Sequence, residues 1–501
     1  MSTSQLDLDL RSMQEARDRA TAAREAQRAF RLADQRDVDR ICAAMADVAF
    51  RESARWGEMA AEETGYGIAA HKRLKNEFAS RDVWESIKDI PTCGVLNRDD
   101  VRKVVEIGWP VGVIAALTPS TNPTSTAIFK ILIAVKARNA VIVAPHPTAV
   151  RCTSATVAAM AAAGESVGMP PGLVSSLSLV TLAGTQELMS HYATSMILAT
   201  GGTPMVKAAH SVGKPALGVG PGNVPVYVDR SADVAQAAID IVSSKAFDCS
   251  TICATEQTVV ADQPIAAQLR REMADAGAHW LDAAAAERLG RLMFRANGTM
   301  DPRYVGRTPP QIGELAGIDV PDSARILVAD LDGIGPAHPM SREKLTTVLG
   351  FIEEDGWRAG CERSIEILTF GGDGHSLVIH ARDEDVVLAF GIEKPAFRIL
   401  VNTWGTFGAI GASTGLMPSM TLAPGGLGGS VVSDNITVHH LLNVKRLAYE
   451  TRRAPAEAFA RPARAGASDA GTAAAGRGRA GEIDVDLVTE VVRRVLREVT
   501  R

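Results

Sequence analysis

Hydrophobic positions in residues 10–90 recur about every 3.6 residues, as in ICAAMADVA from Ile41, and this period predicts two or three amphipathic helices. From about residue 104 the texture changes. Short β-branched runs at 104–107, 111–116, 140–144, 196–199 and 224–228 alternate with helical stretches such as 127–136 and 150–163. Such alternation predicts parallel strands joined by crossover helices, hence an α/β sheet. A second block over 236–430 repeats the pattern, with strands expected near 258–260, 325–328, 376–379 and 398–401.

The pattern then stops. Residues 453–481 hold 12 Ala, 5 Gly, Pro455 and Pro462 without an apolar period, and read as a disordered linker that buries too little surface to offset chain entropy. Beyond it, Leu487, Val491, Val495 and Val499 repeat every four residues beside Val488, Val492 and Leu496, with Asp484 placed as an N-cap. An isolated helix of this length is marginal in water, so its stripe needs a partner. It can dock on its own domain or on another copy. The long leash favours a tethered docking helix instead.

Composition narrows the classes. The chain has 501 residues, 46% hydrophobic and 22% charged, with a net charge of −5 and 5% aromatics. Neither a basic footprint nor a stacking platform for nucleic acid is expected. The N-terminus is polar and acidic, and no apolar run reaches membrane-spanning length, so neither secretion nor membrane insertion is expected. Six scattered cysteines form no disulfide framework and fit a reducing cytoplasm.

Candidate chemistry centres on SKAFDCSTICATEQ, residues 244–257. A cysteine nucleophile works as thiolate and wants a partly exposed, electropositive site. From spacing alone, Cys249 and Cys253 read equally well as buried core thiols. No His/Cys cluster accompanies them, so no metal is expected. A second feature, GWPVGVIAALTPSTNP over 108–123, is a strand ending in a polar turn before a helix, where Thr118, Pro119, Ser120 and Asn122 could meet phosphate or ribose. An ordinary strand–helix turn is the blander alternative. Glycine clusters at 199–204 (Gly201, Gly202, then Thr203) and 218–223 (Val219, Gly220) permit close ligand approach, but do not form a dinucleotide GxGxxG fingerprint.

The order of these pieces is specific. Over about 15–450 the chain resembles the aldehyde dehydrogenase superfamily, and within it the coenzyme-A-acylating branch. The residues that carry the resemblance are ETGYG (63–67), Lys72, Lys75–Asn76, the 108–123 segment, APHP (144–147), ATGG (199–202), ICATEQ (252–257), EKL (343–345), GGDGH (371–375) and PSMTL (418–422). The resemblance implies an α/β fold of two interleaved parallel-sheet domains with a small oligomerisation element and a flexible C-terminal tail. Expected segments are 1–235 (nucleotide-binding, completed by 400–430), 236–430 (catalytic), 431–452 (oligomerisation), 453–481 (linker) and 482–501 (amphipathic helix).

It also implies a chemistry. Cys253 stands at the branch's nucleophile position and Asn122 at its oxyanion-stabilising asparagine; Cys249 is then structural. NAD is the implied hydride acceptor, with NADP also open, and coenzyme A the implied co-substrate sharing its pocket. His146 and Pro147 fall in the adenine-ribose turn, and Glu343 at the glutamate that holds the nicotinamide ribose. Val219 occupies the place of the general-base glutamate of hydrolytic relatives. Valine takes no proton, so hydrolysis loses on the order of 10²–10⁴-fold and a thiol acceptor can win. His375 either assists thiol deprotonation or lines the pocket. Trp404, where many relatives have proline, is expected to reshape the aldehyde pocket.

The expected substrate is propionaldehyde or acetaldehyde. Residues 482–501 resemble an encapsulation peptide, implying microcompartment shell or cargo proteins as partners inside a cytoplasmic bacterial microcompartment. A homodimer or homotetramer is expected, built on 98–108 and 430–450. The alternatives are a hydrolytic aldehyde dehydrogenase and a catalytically silent assembly factor. From the chain length, no second, iron-binding domain is expected.

Overall fold

The computed structural model describes residues 3–453; the expected helix over 482–501 and all but the first residue of the expected linker lie outside them. The N-terminal zone holds more helices than the period predicted: Thr3–Phe30, Gln35–Arg51, Ser53–Thr64, Ala69–Glu77 and Val83–Ile87, with a π-helical turn Phe78–Asp82. Two local stops cause the splitting. Glu52 ends one helix and starts the next, which Gly65 closes with a left-handed φ of 67°. The stripe read from Ile41 is real, since Val38, Ile41, Cys42, Met45, Ala46 and Ala49 all face inward.

Strands β1 (Val95–Asp99) and β2 (Val104–Pro110) form an antiparallel pair. Residues 104–107 were expected among the parallel strands. The connection over 100–103 is far too short for a crossover helix, so the chain turns back on itself.

Five parallel strands follow: β3 (Val113–Leu117), β4 (Ala140–Ala144), β5 (Val174–Ser176), β6 (Thr194–Thr200) and β7 (Ala216–Val219), in the order β5-β4-β3-β6-β7. The run expected at 111–116 thus starts at Val113, and the helix expected at 127–136 begins earlier, at Pro123. Proline suits the first helical turn, where its missing N–H has no partner to lose. Every residue of that helix, Pro123–Lys136, is buried, and Lys130 Nζ donates to the carbonyls of Leu117 and Leu198.

A seven-stranded parallel sheet comes next: β8 (Val224–Val228), β9 (Glu256–Asp262), β10 (Ala278–Trp280), β11 (Ile326–Asp330), β12 (Val348–Glu354), β13 (Leu377–His380) and β14 (Ile399–Val401). Its order is β10-β11-β12-β9-β8-β13-β14. Residues 224–228, which the sequence grouped with the first block ending at 235, therefore sit in the middle of the second sheet. A solvent-shielded β-branched run carries no label saying which sheet it joins. Finally β15 (Leu442–Ala448) pairs antiparallel with β2, Val444 opposite Gly108, to complete a three-stranded ribbon. One buried core joins the two parallel sheets, including Ile114 and Val141 from one and Val226 and Val259 from the other.

Candidate active site

The carboxyl ends of β3, β6 and β7 face the amino ends of β9 and β8 across one cavity of 380 Å³. In the first sheet β4 and β6 lie on opposite sides of β3, the switch point where open parallel sheets hold ligands. In the second sheet β9, β8 and β13 are neighbours. Their preceding residues therefore meet: Cys253 before β9, Gly222 before β8 and His375 before β13.

Cys253 sits on a turn that follows helix Val234–Ala246 and the 3-10 segment Phe247–Ser250. Asp248, Cys249 and Ser250 adopt φ values of 47°, 51° and 62° in succession, a left-handed path that non-glycine residues resist. The buried Asp248 carboxylate holds it in place. It accepts from the Ile68 N–H at 2.7 Å and from Lys72 Nζ at 3.1 Å, and also pairs with Lys75. The Thr255 N–H donates to the Ile252 carbonyl at 3.0 Å, closing the turn around Cys253, which is left half-buried in the cavity wall.

His375 is buried, with Nε2 3.2 Å from Cys253 Sγ and Nδ1 3.0 Å from Ser376 Oγ. Burial first, and the charge of Arg398 second, push its pKa down to about 3, so the ring is neutral. Burial, then the Glu343 carboxylate, push the Cys253 thiol up to about 12 against the opposing Arg398. Glu343 is pushed up to about 7 by burial, although the Gly222 N–H donates to its Oε1 at 2.8 Å. A methyl group on Gly222 would lie 2.4 Å from the Cys253 carbonyl oxygen and 3.0 Å from the His375 ring. Only glycine lets the three strand ends approach this closely.

Asn122 stands at the N-cap position of helix Pro123–Lys136, without a side-chain capping bond, and lines the cavity. Its Nδ2 donates to the Thr251 carbonyl at 2.9 Å, which ties it to the cysteine turn, and its Oδ1 accepts from Lys75 Nζ.

The other predicted residues fall into three groups. Pro119, Ser120, His146, Gly201, Gly202, Val219, Gly220 and Glu343 line the main cavity with Cys253 and Asn122. Thr118 and Pro147 line an adjoining cavity of 190 Å³ that shares His146 and Met205. Thr203 lines a third, of 560 Å³, with Gly220 and Gly372. Of the two roles open for His375, it is not among the lining residues and stands against Cys253. One expectation needs correction: Trp404 does not shape the cavity, because its indole N–H is drawn away to Asp240 Oδ1 at 3.1 Å. Cys249 is buried and lines no cavity described.

Sequence reasoning missed Asp248, the wall residues Ile410, Met420 and Leu422, and Arg398, which donates to the His375 carbonyl at 3.2 Å. Asp248, Met420 and Leu422 lie inside quoted motifs that gave them no role, and Ile410 and Arg398 lie in none. Among the described residues no group of three or more His, Cys, Asp or Glu is placed to hold a metal, and no helix is long and apolar enough to cross a membrane.

A model of the aldehyde dehydrogenase family matches residues 7–283. The chain is 38% identical over 423 residues to an aldehyde-alcohol dehydrogenase 2 of Entamoeba histolytica, covering 83% of this chain but 49% of that protein. It thus spans about half the length of that relative. A crystal structure of an acetylating aldehyde dehydrogenase from Geobacillus thermoglucosidasius superposes with a TM-score of 0.88 at 46% identity, covering 89% of this chain and 99% of that one. A Rhodopseudomonas palustris propionaldehyde dehydrogenase, solved with bound CoA and an acylated cysteine, superposes at 0.78 with 26% identity over 87% and 97%.

Proposed function

The chain belongs to the aldehyde dehydrogenase family, and we propose that it oxidises a short-chain aldehyde to an acyl-CoA with NAD, through a thioester on Cys253. The observation that carries this reading is the cavity lining. Cys253 opens onto a space whose described walls hold one carboxylate, Glu343, already engaged by the Gly222 amide, while Val219 closes the end of β7. Val219 offers no proton acceptor at the place where a hydrolytic enzyme needs its general base.

The residues present fit a dinucleotide. Thr118 and Thr126 hold buried hydroxyl oxygens without partners, beside a helix N-terminus at Gly202–Thr203. Thr118, His146 and Pro147 would hold its adenosine end and Glu343 its nicotinamide ribose. When bound, the nicotinamide supplies the hydride acceptor, leaving the acyl group on sulfur. The chain does the rest. His375, with its hydrogen on Nδ1 facing Ser376, accepts the Cys253 proton at Nε2 as sulfur adds to the carbonyl. The Asn122 amide, exchanging its 3.2 Å contact to Thr121 Oγ1, and the Cys253 N–H then donate to the developing oxyanion. Coenzyme A then enters the vacated pocket, and its thiol takes the acyl group in ping-pong order.

The walls contributed by Ile252, Ile410, Met420 and Leu422, and the absence of Lys or Arg from the lining, support a small uncharged aldehyde such as propionaldehyde or acetaldehyde. We further propose that 482–501 recruits the enzyme to the shell or cargo of a cytoplasmic bacterial microcompartment, and that copies associate as dimers or tetramers through the exposed faces of β1 and β15.

The test is to incubate enzyme with nucleotide and a panel of two- to four-carbon aldehydes, then map the acyl group by peptide mass spectrometry. Acyl on residue 253 that persists in buffer and collapses on adding coenzyme A is the expected result. Acyl elsewhere, or equal decay in buffer alone, rejects the proposal. For the tail, deletion of 453–501 should leave turnover intact and abolish co-assembly with shell proteins; retained co-assembly rejects that part.

A further inference from the structure

An asparagine amide carries a donor and an acceptor at the two ends of one plane, so it serves an oxyanion in only one of its two orientations. For Asn122 the surroundings decide which. Oδ1 meets the ammonium of Lys75, whereas Nδ2 donates to the Thr251 carbonyl at 2.9 Å and to Thr121 Oγ1 at 3.2 Å. Turning the amide over would press its NH2 against an ammonium and its oxygen against a carbonyl. Both contacts are repulsive.

Lys75 is itself fixed. It is 2% exposed on helix Ala69–Glu77, and its other partners are the Asp248 carboxylate and Thr251 Oγ1, the latter at 3.3 Å. Asp248 is fully buried and also accepts from Thr251 Oγ1 at 2.7 Å. Lys72 Nζ bridges Asp248 to the Thr121 carbonyl at 3.0 Å. Gly67, at φ 72°, makes room for the carboxylate: a methyl group there would lie 2.1 Å from Asp248 Oδ1. The ETGYG element, Lys72 and Lys75 therefore converge on one buried carboxylate on the turn that presents Cys253.

We propose that Lys75 is the positioning residue of the oxyanion donor, holding the Asn122 amide with its N–H groups toward the cysteine turn, while Asp248 holds Lys75. This rests on the reading of Asn122 given above. Burying two ammonium groups and a carboxylate is an expensive way to fill a core, since apolar side chains of similar volume commonly do as well or better. Placing one of those ammonium groups on the amide oxygen gives the arrangement a use beyond packing.

A double-mutant cycle tests it, read as the single-turnover rate of thioester formation, with nucleotide KM as a separate readout. Asn122→Ala should slow acylation on the order of 10²–10³-fold, as loss of one oxyanion donor does. Lys75→Met should slow it about tenfold or more in the parent, leave nucleotide KM unchanged, and cost less than about twofold in the Asn122→Ala background. Lys75→Gln, which keeps an N–H donor and places no bare hydrocarbon beside Asp248, should retain more activity than Lys75→Met and guards against a folding failure of the latter. Additive losses, or full activity in Lys75→Met, overturn the inference and leave Asn122 as the donor. An unimpaired Asn122→Ala overturns the Asn122 assignment itself.

Discussion

Nε2 of His375 stands 3.2 Å from Sγ of Cys253, although 122 positions separate them in the chain. Adjacent parallel strands bring them together, β9 and β13 flanking β8. Both groups rest neutral: the thiol is pushed up to about 12 and the imidazole down to about 3. Above its low pKa the ring is unprotonated and faces the thiol, and proton transfer to it is completed only as sulfur bonds to the carbonyl. Replacing His375 by alanine should slow thioester formation by on the order of 10²–10⁴-fold without preventing nucleotide binding. Rapid-mixing measurement of the first-turnover NADH burst checks this, and an unchanged burst removes His375 as the base.

Val219→Glu should convert the fate of the thioester. The new carboxylate would sit in the cavity wall at a position 1% exposed, where burial raises its pKa toward the range of a useful base. Free acid formed without coenzyme A should rise by about tenfold or more. Product analysis by mass spectrometry decides, and acid release no faster than in the parent goes against the role given to Val219.

The pH dependence of Cys253 follows from its neighbours. Burial and the Glu343 carboxylate both disfavour the thiolate, so alkylation of the nucleotide-free enzyme should climb with pH through 9 without levelling off. Glu343, raised to about 7, is mostly ionised at pH 8. Removing that negative charge lowers the thiol pKa, and each unit is worth about tenfold in thiolate at this pH. Iodoacetamide should therefore label Glu343→Gln several times faster than the parent at pH 8. Equal or slower labelling contradicts the assignment.

Gly222→Ala should damage activity more than stability. The added methyl group meets a backbone oxygen, that of Cys253, at 2.4 Å, so the cysteine turn must move. Overpacking of this kind costs about 1–3 kcal/mol. The expected outcome is a modest drop in Tm with kcat/KM reduced at least tenfold; a thermally weakened enzyme with parental kcat/KM contradicts it.

Local patterns were legible in proportion to how local their causes are. The stripe of helix Gln35–Arg51 and the buried runs of β4 and β9 follow from side-chain period and β-branching, which short-range sterics and burial enforce. The three-residue strands β5 and β10 carry too few residues to show a period, and they exist because a neighbouring strand offers them hydrogen bonds. Lys75 and Asn76 were visible as part of a motif but mute about purpose. Only their partners explain them: Lys75 meets Asn122 and Asp248, and Asn76 donates to the Ser53 carbonyl while accepting from Thr124.

By itself the sequence determined an α/β chain, a polar strand–helix turn at 122 and valine at 219, because residue type and spacing act over a few positions; it marked Cys253 over Cys249 only through the family resemblance. Tertiary structure alone decided that β8 joins the second sheet, that Trp404 turns away to Asp240, and that His375, Gly222 and Glu343 gather at Cys253. Those relations depend on which strands lie side by side, and strand adjacency is settled by packing across the whole core, not by any stretch of neighbouring residues.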